Sequence, residues 1–202
     1  MLRTNNIILR DFKESDIDKR IYWETVENEW QQWDGPWEYE GMTEEQRQED
    51  LRAYIASMEA WAAAPVPTDA KRKSFQIDVR DPEPRYIGWV NSYYLDDEYS
   101  FTRVVTDKCA IGIDIPDVSA RGKGYAYQAL GLFIDYLFKN GEKEIYTQTW
   151  SGNKRMIHIA EKTGFEECCR KVNLRTVQGK KYDGLTFRLN KERYVQFRFS
   201  PE

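Results

Sequence analysis

Four residues near the middle of the chain, Arg121-Gly122-Lys123-Gly124, combine two glycines with two cations. They stand between an alternating apolar run and a stretch of helical periodicity, which places them at a helix start. The first backbone N–H groups of a helix point out of its positive end, where a phosphate or pyrophosphate can bind. The alternative is a helix start that uses glycine only for turning, because a Gly-x-Gly turn alone is a weak signal.

A second candidate site lies in residues 23–39, which hold four of the seven tryptophans together with several carboxylates. Ring faces and acidic groups can form one wall of a pocket for a cation. Around the turn-forming triplet Asp34-Gly35-Pro36, we take Trp33, Asp34 and Trp37 as candidate substrate-binding residues. The alternative is that the rings only pin a loop onto the core.

Cysteine and histidine are scarce in this chain. The three cysteines are Cys109, Cys168 and Cys169, an odd number whose spacing suggests neither a disulfide framework nor a CxxC metal site. With His158 as the single histidine, a structural zinc site is not expected either. We therefore predict no metal.

Regular elements must position these residues, and patterning predicts where they lie. Apolar alternation predicts strands at 7–10, 74–80, 86–95, 110–115, 144–150, 165–175 and 182–189, the last two as a hairpin around residues 178–180. Residues 101–105 are expected to lead into the strand at 110–115. Helices are predicted to start near residue 16, to span 43–63 with a capping box at residues 43–46, to start near 124 and to span 153–163 with Gly164 as C-cap. Residues 81–84 read as a turn. No linker or repeat interrupts the 202 residues, so we expect a single domain over 1–202.

The glycine turn also carries a resemblance to a known family. Residues 121–126 resemble the Arg/Gln-x-x-Gly-x-Gly/Ala signature of the GNAT superfamily of N-acetyltransferases, with matches at Arg121, Gly124 and Ala126. Asn153 with the later Gly164-Phe165 is similar to the family's second block. The resemblance implies an α/β (α+β mixed) fold: a central, mostly antiparallel sheet of about seven strands with a splayed parallel pair, flanked by helices.

The same resemblance implies an activity and a set of cofactor contacts. The activity is acetyl transfer from acetyl-coenzyme A to a primary amine. The backbone of the helix start would hold the pyrophosphate, Ile113 and Ile115 would pair with the pantetheine arm, and Asn153 would bond the pantetheine or its neighbourhood. The implied helix-start residues are Arg121, Gly122, Lys123, Gly124, Tyr125 and Ala126.

Asp114 is the best single candidate for a catalytic base or for fixing the amine, because it stands on the strand at the mouth of this site, and Asp34 and Glu29 compete with it for this role. Strand alternation places it opposite Ile113 and Ile115, so an outward-facing surface residue is the alternative. Many relatives carry a tyrosine acid where this chain has Ala160, which leaves the general acid unassigned. On the helix from 153 we expect the face shared by Asn153, Met156, Ile157 and Ala160 to point towards the cofactor, leaving His158 to one side.

The acceptor predicted from the resemblance is the primary amine of a small basic molecule or of a protein N-terminus. A small basic substrate suits the acidic, aromatic segment better. A non-catalytic acyl-coenzyme A binding or sensing module is the alternative, since Ala160 occupies the tyrosine position.

Composition limits the other classes of function. The formal net charge of −4 argues against broad nucleic-acid binding and suits a cationic substrate. No apolar run is long enough to span a bilayer, and the polar start MLRTNN lacks the order of a signal peptide. We expect a cytoplasmic protein without nucleic-acid or membrane partners, and we consider a homodimer.

Overall fold

A computed structural model describes residues 1–65, 70–80 and 83–194 of the chain. Within these ranges the strands are β1 Leu2–Arg3, β2 Ile7–Arg10, β3 Ser74–Val79, β4 Arg85–Leu95, β5 Phe101–Thr102, β6 Lys108–Asp114, β7 Glu144–Trp150, β8 Phe165–Val177 and β9 Lys180–Leu189. The α-helices are α1 Ile17–Thr25, α2 Glu44–Ala63, α3 Tyr125–Lys139 and α4 Lys154–Thr163.

The strands form one sheet in the order β1-β2-β3-β4-β6-β7-β9-β8, and β5 pairs with the far end of β4. All pairings are antiparallel except that of β6 with β7. Seven of the described strands are longer than two residues, and β1 and β5 have two each. The predicted mixed fold, a largely antiparallel sheet with one parallel pair and flanking helices, is confirmed.

The main core lies between the sheet and α3. Apolar residues recur at helical spacing along α3, so Leu130, Phe133, Ile134 and Leu137 share one buried side. They belong to one cluster with sheet residues such as Ile7, Leu9, Phe75, Ile77, Ile111 and Ile145. This packing fixes α3 on the sheet, with its N-terminus following the end of β6.

α1 and α2 pack together beside the sheet, around the small cluster of Phe12, Ile17 and Met58. The buried guanidinium of Arg10 binds Asp16 and Asp78, with N–O distances of 2.6 Å to each. A buried cation needs such partners, because an unpaired one would carry a large desolvation cost. These ion pairs fix the start of α1. The tryptophan-rich segment, residues 23–39, begins in the last turn of α1.

Local signals predicted the helix ends well. Thr43 Oγ1 accepts from Gln46 N at 3.2 Å and Gln46 Oε1 accepts from Thr43 N at 2.8 Å, which is the predicted capping box of α2. Residues 101–105, expected only to lead into the central strand, contain the short strand β5, which ends at Thr102, and Val104 and Val105 lie exposed. The turn predicted at 81–84 lies partly outside the described residues.

None of the helices described here has the length and apolar content that crossing a membrane requires.

Candidate active site

The parallel strands β6 and β7 separate halfway along their length. Their pairing runs from Lys108 opposite Glu144 to Ile111 opposite Thr147, where Thr147 Oγ1 donates to the Ile111 carbonyl at 2.8 Å. Beyond this point β6 continues to Asp114 and β7 to Trp150, each held only by its other neighbour. The end of β6 therefore presents a free backbone edge to the gap, as the predicted splayed pair requires.

A cavity of about 690 Å³ occupies this gap. It brings together most of the residues that the sequence singled out, namely Trp33, Asp34, Ile113, Asp114, Ile115, Arg121, Gly122, Gly124, Tyr125, Ala126 and Asn153. Lys123 is exposed and is not part of the lining, and Trp37 lines a neighbouring cavity instead. Asp114 is half-buried on the cavity wall, so it is not the outward-facing surface residue of the alternative, and the flanking Ile113 and Ile115 also pack against the main core.

The N-terminus of α3 faces this cavity without a side-chain cap. Gly124 precedes the helix with φ +78°, and Gly122 has φ +73°, values that L side chains rarely adopt. No acidic residue stands in the first turn of α3, whereas Thr43 caps α2 and Asn153 caps α4. The amides at the start of α3 are therefore available to an anion.

Arg121 links the end of β6 to the tryptophan-rich segment. Its guanidinium donates to the carbonyls of Ile115 at 3.0 Å and Pro116 at 3.2 Å, and it forms an ion pair with Glu29. Glu29 also accepts from Trp33 Nε1 at 2.7 Å and contacts Arg155 at 3.2 Å. Partial burial alone would raise the pKa of Glu29, but these hydrogen bonds and the two cations lower it.

The rings of the tryptophan-rich segment divide between two roles. Trp23 and Trp30 are buried with Tyr86 and Trp89, and Trp30 Nε1 donates to the Trp23 carbonyl at 2.9 Å, so these rings pin the segment onto the sheet. Trp30 and the half-buried Trp33 also line the cavity. The alternative, in which a ring only pins the segment onto the core, therefore describes Trp23 alone among these three.

Asn153 fastens the tryptophan-rich segment to α4. Its Oδ1 accepts from Met156 N at 2.9 Å, and its Nδ2 donates to the Trp33 carbonyl at 2.9 Å. Trp150 Nε1 donates to the same carbonyl at 2.8 Å. The predicted contact of Asn153 with pantetheine would have to coexist with the two hydrogen bonds of the Asn153 side chain or replace one of them.

The predicted cavity face of α4 is wrong in part. Ile157 packs against the main core and Ala160 is buried within it, while Met156 and Ile159 line the cavity. The helix has apolar residues on both the core side and the cavity side, so periodicity alone could not choose between them. His158 is exposed and stands at the cavity rim.

Two carboxyl groups in the cavity have raised pKa values. Desolvation by the surrounding protein, followed by the charge of Asp34, raises the pKa of Asp114 well above its ordinary range, against the opposing effects of Arg20 and a hydrogen bond from Trp89. Desolvation and the charge of Glu38 raise the pKa of Asp34. A carboxylate with a raised pKa is a stronger proton acceptor at neutral pH.

Tyr93 and Gln148 are cavity residues that the sequence reasoning missed. Tyr93 Oη donates to Gln148 Oε1 at 3.3 Å, and burial raises the pKa of Tyr93 to about 12. Gln148 Nε2 donates to the Tyr99 carbonyl and to Thr186 Oγ1, each at 2.9 Å. The available signal was alternation along β4, which places Asn91 and Tyr93 on the same face, and both line the cavity.

A second cavity of about 480 Å³ adjoins the first. The two share Trp33, Asp34, Gln148 and Thr149 as lining residues, so they meet beside Asp34. The second cavity extends from this junction towards β8, past Trp37 and Glu38. Two ligands could therefore approach each other from opposite sides.

In the parts of the chain described here, no group of three or more His, Cys, Asp or Glu residues is arranged to hold a metal.

Comparison with known proteins gives one family match. The family model for the acetyltransferase (GNAT) domain matches residues 6–166, which is more than half of the chain. No curated protein matches the sequence.

Solved structures of low sequence identity share the fold. The GNAT-family acetyltransferase from Bacillus anthracis is 14% identical over 95% of this chain and 98% of that one, with a TM-score of 0.64. Spermidine N-acetyltransferase from Vibrio cholerae, solved with CoA and spermine, is 18% identical over 93% and 97%, with a TM-score of 0.61. RimL, a ribosomal L7/L12 α-N-protein acetyltransferase solved with CoA, is 14% identical over 91% and 93%, with a TM-score of 0.61.

Proposed function

The chain belongs to the GNAT acetyltransferase family, and from this premise we propose that it acetylates a primary amine where its two cavities meet. The donor is acetyl-coenzyme A, and the acceptor is the amine of a small basic molecule or of a protein N-terminus. The observation that carries this proposal is a shared wall: the uncapped start of α3, the free edge of β6 and Asp114 all face one cavity.

The first cavity suits coenzyme A. Amides at the start of α3 match a pyrophosphate, and the unpaired edge of β6 from Gly112 onward offers backbone groups to an extended amide-bearing arm. Arg121 lies at the same end and can turn from Glu29 towards a phosphate. Acetyl-coenzyme A supplies an acyl group activated as a thioester, and the chain has to supply position and proton transfer.

Asp114 is the residue to which we assign removal of the amine proton. An alkyl amine with a pKa near 10.4 is almost fully protonated at pH 7, and its deprotonation costs about 4–5 kcal/mol. The raised pKa of Asp114 reduces the difference between the pKa of the amine, which gives up the proton, and the pKa of the carboxyl group that accepts it. The neighbouring charge of Asp34 favours the arrival of a cation at the junction.

Tyr93 is the proton donor that we propose in place of the tyrosine missing at Ala160. Ala160 is fully buried and cannot reach the cavity. Tyr93 lies in the cavity lining, and with a pKa of about 12 its hydroxyl keeps its proton at neutral pH and can offer it to a leaving group.

Release of coenzyme A over a panel of amines and peptide N-termini tests the proposal. We expect turnover with at least one amine and a loss of about 10²–10⁴-fold in kcat for Asp114→Asn, with coenzyme A affinity retained. Asp135→Asn is the matched control. Burial also raises the pKa of Asp135, but this residue lies on α3, where its Oδ1 accepts a hydrogen bond from Tyr194 Oη at 3.0 Å. Absence of turnover with any amine, despite coenzyme A binding, would instead favour a sensing module.

Two further expectations from the sequence remain proposals. A cytoplasmic location would be tested by cell fractionation, and a homodimer by light scattering of the purified protein over a range of concentrations.

A further inference from the structure

Charges of both signs line the second cavity, and they belong to different elements. Asp34 and Glu38 belong to the tryptophan-rich segment, and Asp34 also lines the first cavity, whereas Lys171 and Arg175 of β8 line the second cavity alone. From this separation we propose that the acceptor bears a carboxylate in addition to its amine, and that Lys171 and Arg175 bind this carboxylate. The proposal rests on the proposed function and narrows its acceptor class.

Lys171 and Arg175 have no acidic partner within the described parts of the chain. Their neighbour Arg170 shows the contrast, since it binds Glu167 at 2.7 Å and Asp183 at 2.8 Å. The recorded polar contact of Lys171 is with Ser100 Oγ at 3.2 Å, and that group is uncharged. Two cations that line one cavity and take part in no ion pair can attract an anion.

Arg175 is held by aromatic rings instead of a carboxylate. Its guanidinium lies 4.5 Å from the centroid of the Trp37 ring, and Trp37 packs edge-on against Trp150 with a centroid distance of 6.1 Å. A guanidinium over a ring face keeps its N–H groups free at the edge of the plane, where a carboxylate can accept two hydrogen bonds. The rings therefore orient Arg175 and leave its charge available.

A bulge in β8 brings the two cations close together. Lys171 pairs with Gly184 and Arg175 with Tyr182, so residues 172–174 stand opposite Asp183 alone. The two side chains thus occupy ladder positions two residues apart, about 6–7 Å along the strand, instead of the separation that four residues would give. One carboxylate can lie between side chains at that spacing.

The bulge itself is held by specific contacts. Asp183 Oδ1 accepts from Asn173 N at 2.9 Å, and Asn173 adopts a positive φ of 54°. A Cβ on Gly184 would stand 2.4 Å from Leu174 Cδ2, so glycine at 184 gives the Leu174 side chain its place. Bulges of this kind redirect side chains, here towards the cavity.

The placement of acidic residues on the tryptophan-rich segment and of cations on β8 predicts which amines bind poorly as acceptors. An acceptor with a second ammonium group would place that group beside Lys171 and Arg175, where like charges repel. An acceptor with a carboxylate would meet an opposite charge for each of its groups, the carboxylates of Asp34 and Glu38 for the amine and the two cations of β8 for the carboxylate. The acidic, aromatic segment thus receives the amine, and β8 selects the group at the other end.

Matched acceptors test this inference through the rate of coenzyme A release. One set is 4-aminobutanoate, 4-aminobutanamide and 1,4-diaminobutane, which share one amine and chain length but differ in the second group. A peptide set is Ala-Glu, Ala-Gln and Ala-Lys, each with a C-terminal amide. We expect kcat/KM to fall by about tenfold or more from the carboxylate to the amide, and further to the diamine, in at least one set. The set that shows the order identifies a small molecule or a peptide as the source of the carboxylate.

Variants of β8 show whether these residues cause the preference. We expect Lys171→Gln and Arg175→Gln each to raise KM for the carboxylate acceptor by about tenfold, with kcat and the constants for the amide acceptor unchanged. Arg175→Lys should restore part of the affinity. Lys181→Gln is the control, since Lys181 is an exposed cation of the adjacent strand that does not line the cavity.

The possible failures are distinguishable. Equal use of carboxylate and amide acceptors, a preference for the diamines, or unchanged KM in both β8 variants would overturn the inference and leave the transferase intact. Turnover of a wider amine panel, but of none of these six compounds, would also overturn it. Absence of turnover with every amine would contradict the proposed function itself.

Discussion

Asp114 illustrates a conflict between stability and chemistry at a single residue. Its environment raises the pKa because water is largely replaced by protein and a second carboxylate stands nearby. An ionised carboxylate in such a place costs folding free energy, and the same cost makes it a better base. The hydrogen bond from Trp89 offsets only part of this effect.

This conflict gives a prediction for stability as a function of pH. A carboxyl whose pKa is raised in the folded state binds more protons there, so stability falls as pH rises from the ordinary aspartate value through the raised one. Asp114→Asn removes the ionisable group. We therefore expect it to raise the thermal midpoint at pH 7, by about 2–4 °C for each kcal/mol regained.

Calorimetric melts of wild type and Asp114→Asn between pH 3 and pH 8 would measure the difference. Below about pH 3.9 the aspartate is protonated in both states, so the gain should vanish there. A variant that is less stable than wild type at pH 7 would contradict the raised pKa.

Some site residues were predictable and others were not. The place of Gly124 and Arg121 at a helix start could be predicted from residue type and spacing, because a helix start is a local structure. Tyr93 of β4 and Gln148 of β7 meet only across β6, which lies between these strands, and their sequence neighbours do not reveal this. The raised pKa of Asp114 likewise depends on Asp34, which is distant in sequence.

At the scale of elements, the tryptophan-rich segment is fastened at both of its cavity-facing ends. Glu29 binds Arg121 beside the helix start, and the Trp33 carbonyl accepts from Trp150 and Asn153. The segment therefore contacts both the region that we assign to phosphate and the acceptor side. Binding on one side can change the affinity on the other.

Glu29 should compete with a bound anion for Arg121. We expect Glu29→Gln to strengthen coenzyme A binding by about threefold or more at low salt, since the variant leaves the guanidinium without a local counter-charge. The gain should shrink at high ionic strength because partly exposed charges are screened. Isothermal titration at two salt concentrations would measure both effects.

Glu27→Gln is the matched control for this prediction. Glu27 Oε2 accepts from Trp23 Nε1 at 3.1 Å, much as Glu29 accepts from Trp33, but no ion pair joins it to Arg121. Unchanged affinity in Glu29→Gln, or equal gains in both variants, would show that Glu29 does not limit access to Arg121.

Asn153 should have a functional effect beyond helix capping. We expect Asn153→Ala and Thr43→Ala each to cost about 0.5–2 kcal/mol, because each removes the side-chain cap of one helix. Only Asn153→Ala also removes one of the two hydrogen bonds to the Trp33 carbonyl, so only this variant should change the steady-state constants. Denaturant melts together with kinetics would test the pair, and equal kinetic effects in both variants would contradict the role of this tether.

Element prediction succeeded where the signal was local. The cap of α2 and the end of α4 at Gly164, with φ +97°, follow from a few adjacent residues. The long hairpin of β8 and β9 was predicted with a wider turn than it has, since Lys180 pairs with Val177 within the ladder. Its extension depends on pairing between strands, which single-strand alternation does not report.

At the scale of the whole molecule, a gap in the sheet forms the first cavity, and the second cavity adjoins it beside β7, β9 and β8. β6 and β7 diverge after a short parallel pairing, α3 and α4 flank the opening, and the tryptophan-rich segment crosses beside it. Two ligands can thus reach Asp34 and its surroundings from different sides. The fold was predictable from the family resemblance, whereas the charge order of the second cavity required the paired register of β8 with β9.

The central claim is that amides at the start of α3 hold the phosphates of coenzyme A, and a pair of glycine variants tests it directly. Gly124 and Gly179 have φ values of +78° and +74°, and a Cβ on either would meet nothing within 4 Å. Replacement of each by leucine should therefore cost a similar amount of stability, on the order of 1–2 kcal/mol. Gly179 lies in the turn after β8, outside the lining of both cavities.

Titration calorimetry with coenzyme A on wild type, Gly124→Leu and Gly179→Leu is the decisive measurement. The account predicts binding to wild type, a loss of about tenfold or more in affinity for Gly124→Leu, and wild-type affinity for Gly179→Leu. Absence of coenzyme A binding by wild type, or equal affinities in all three proteins, would contradict it.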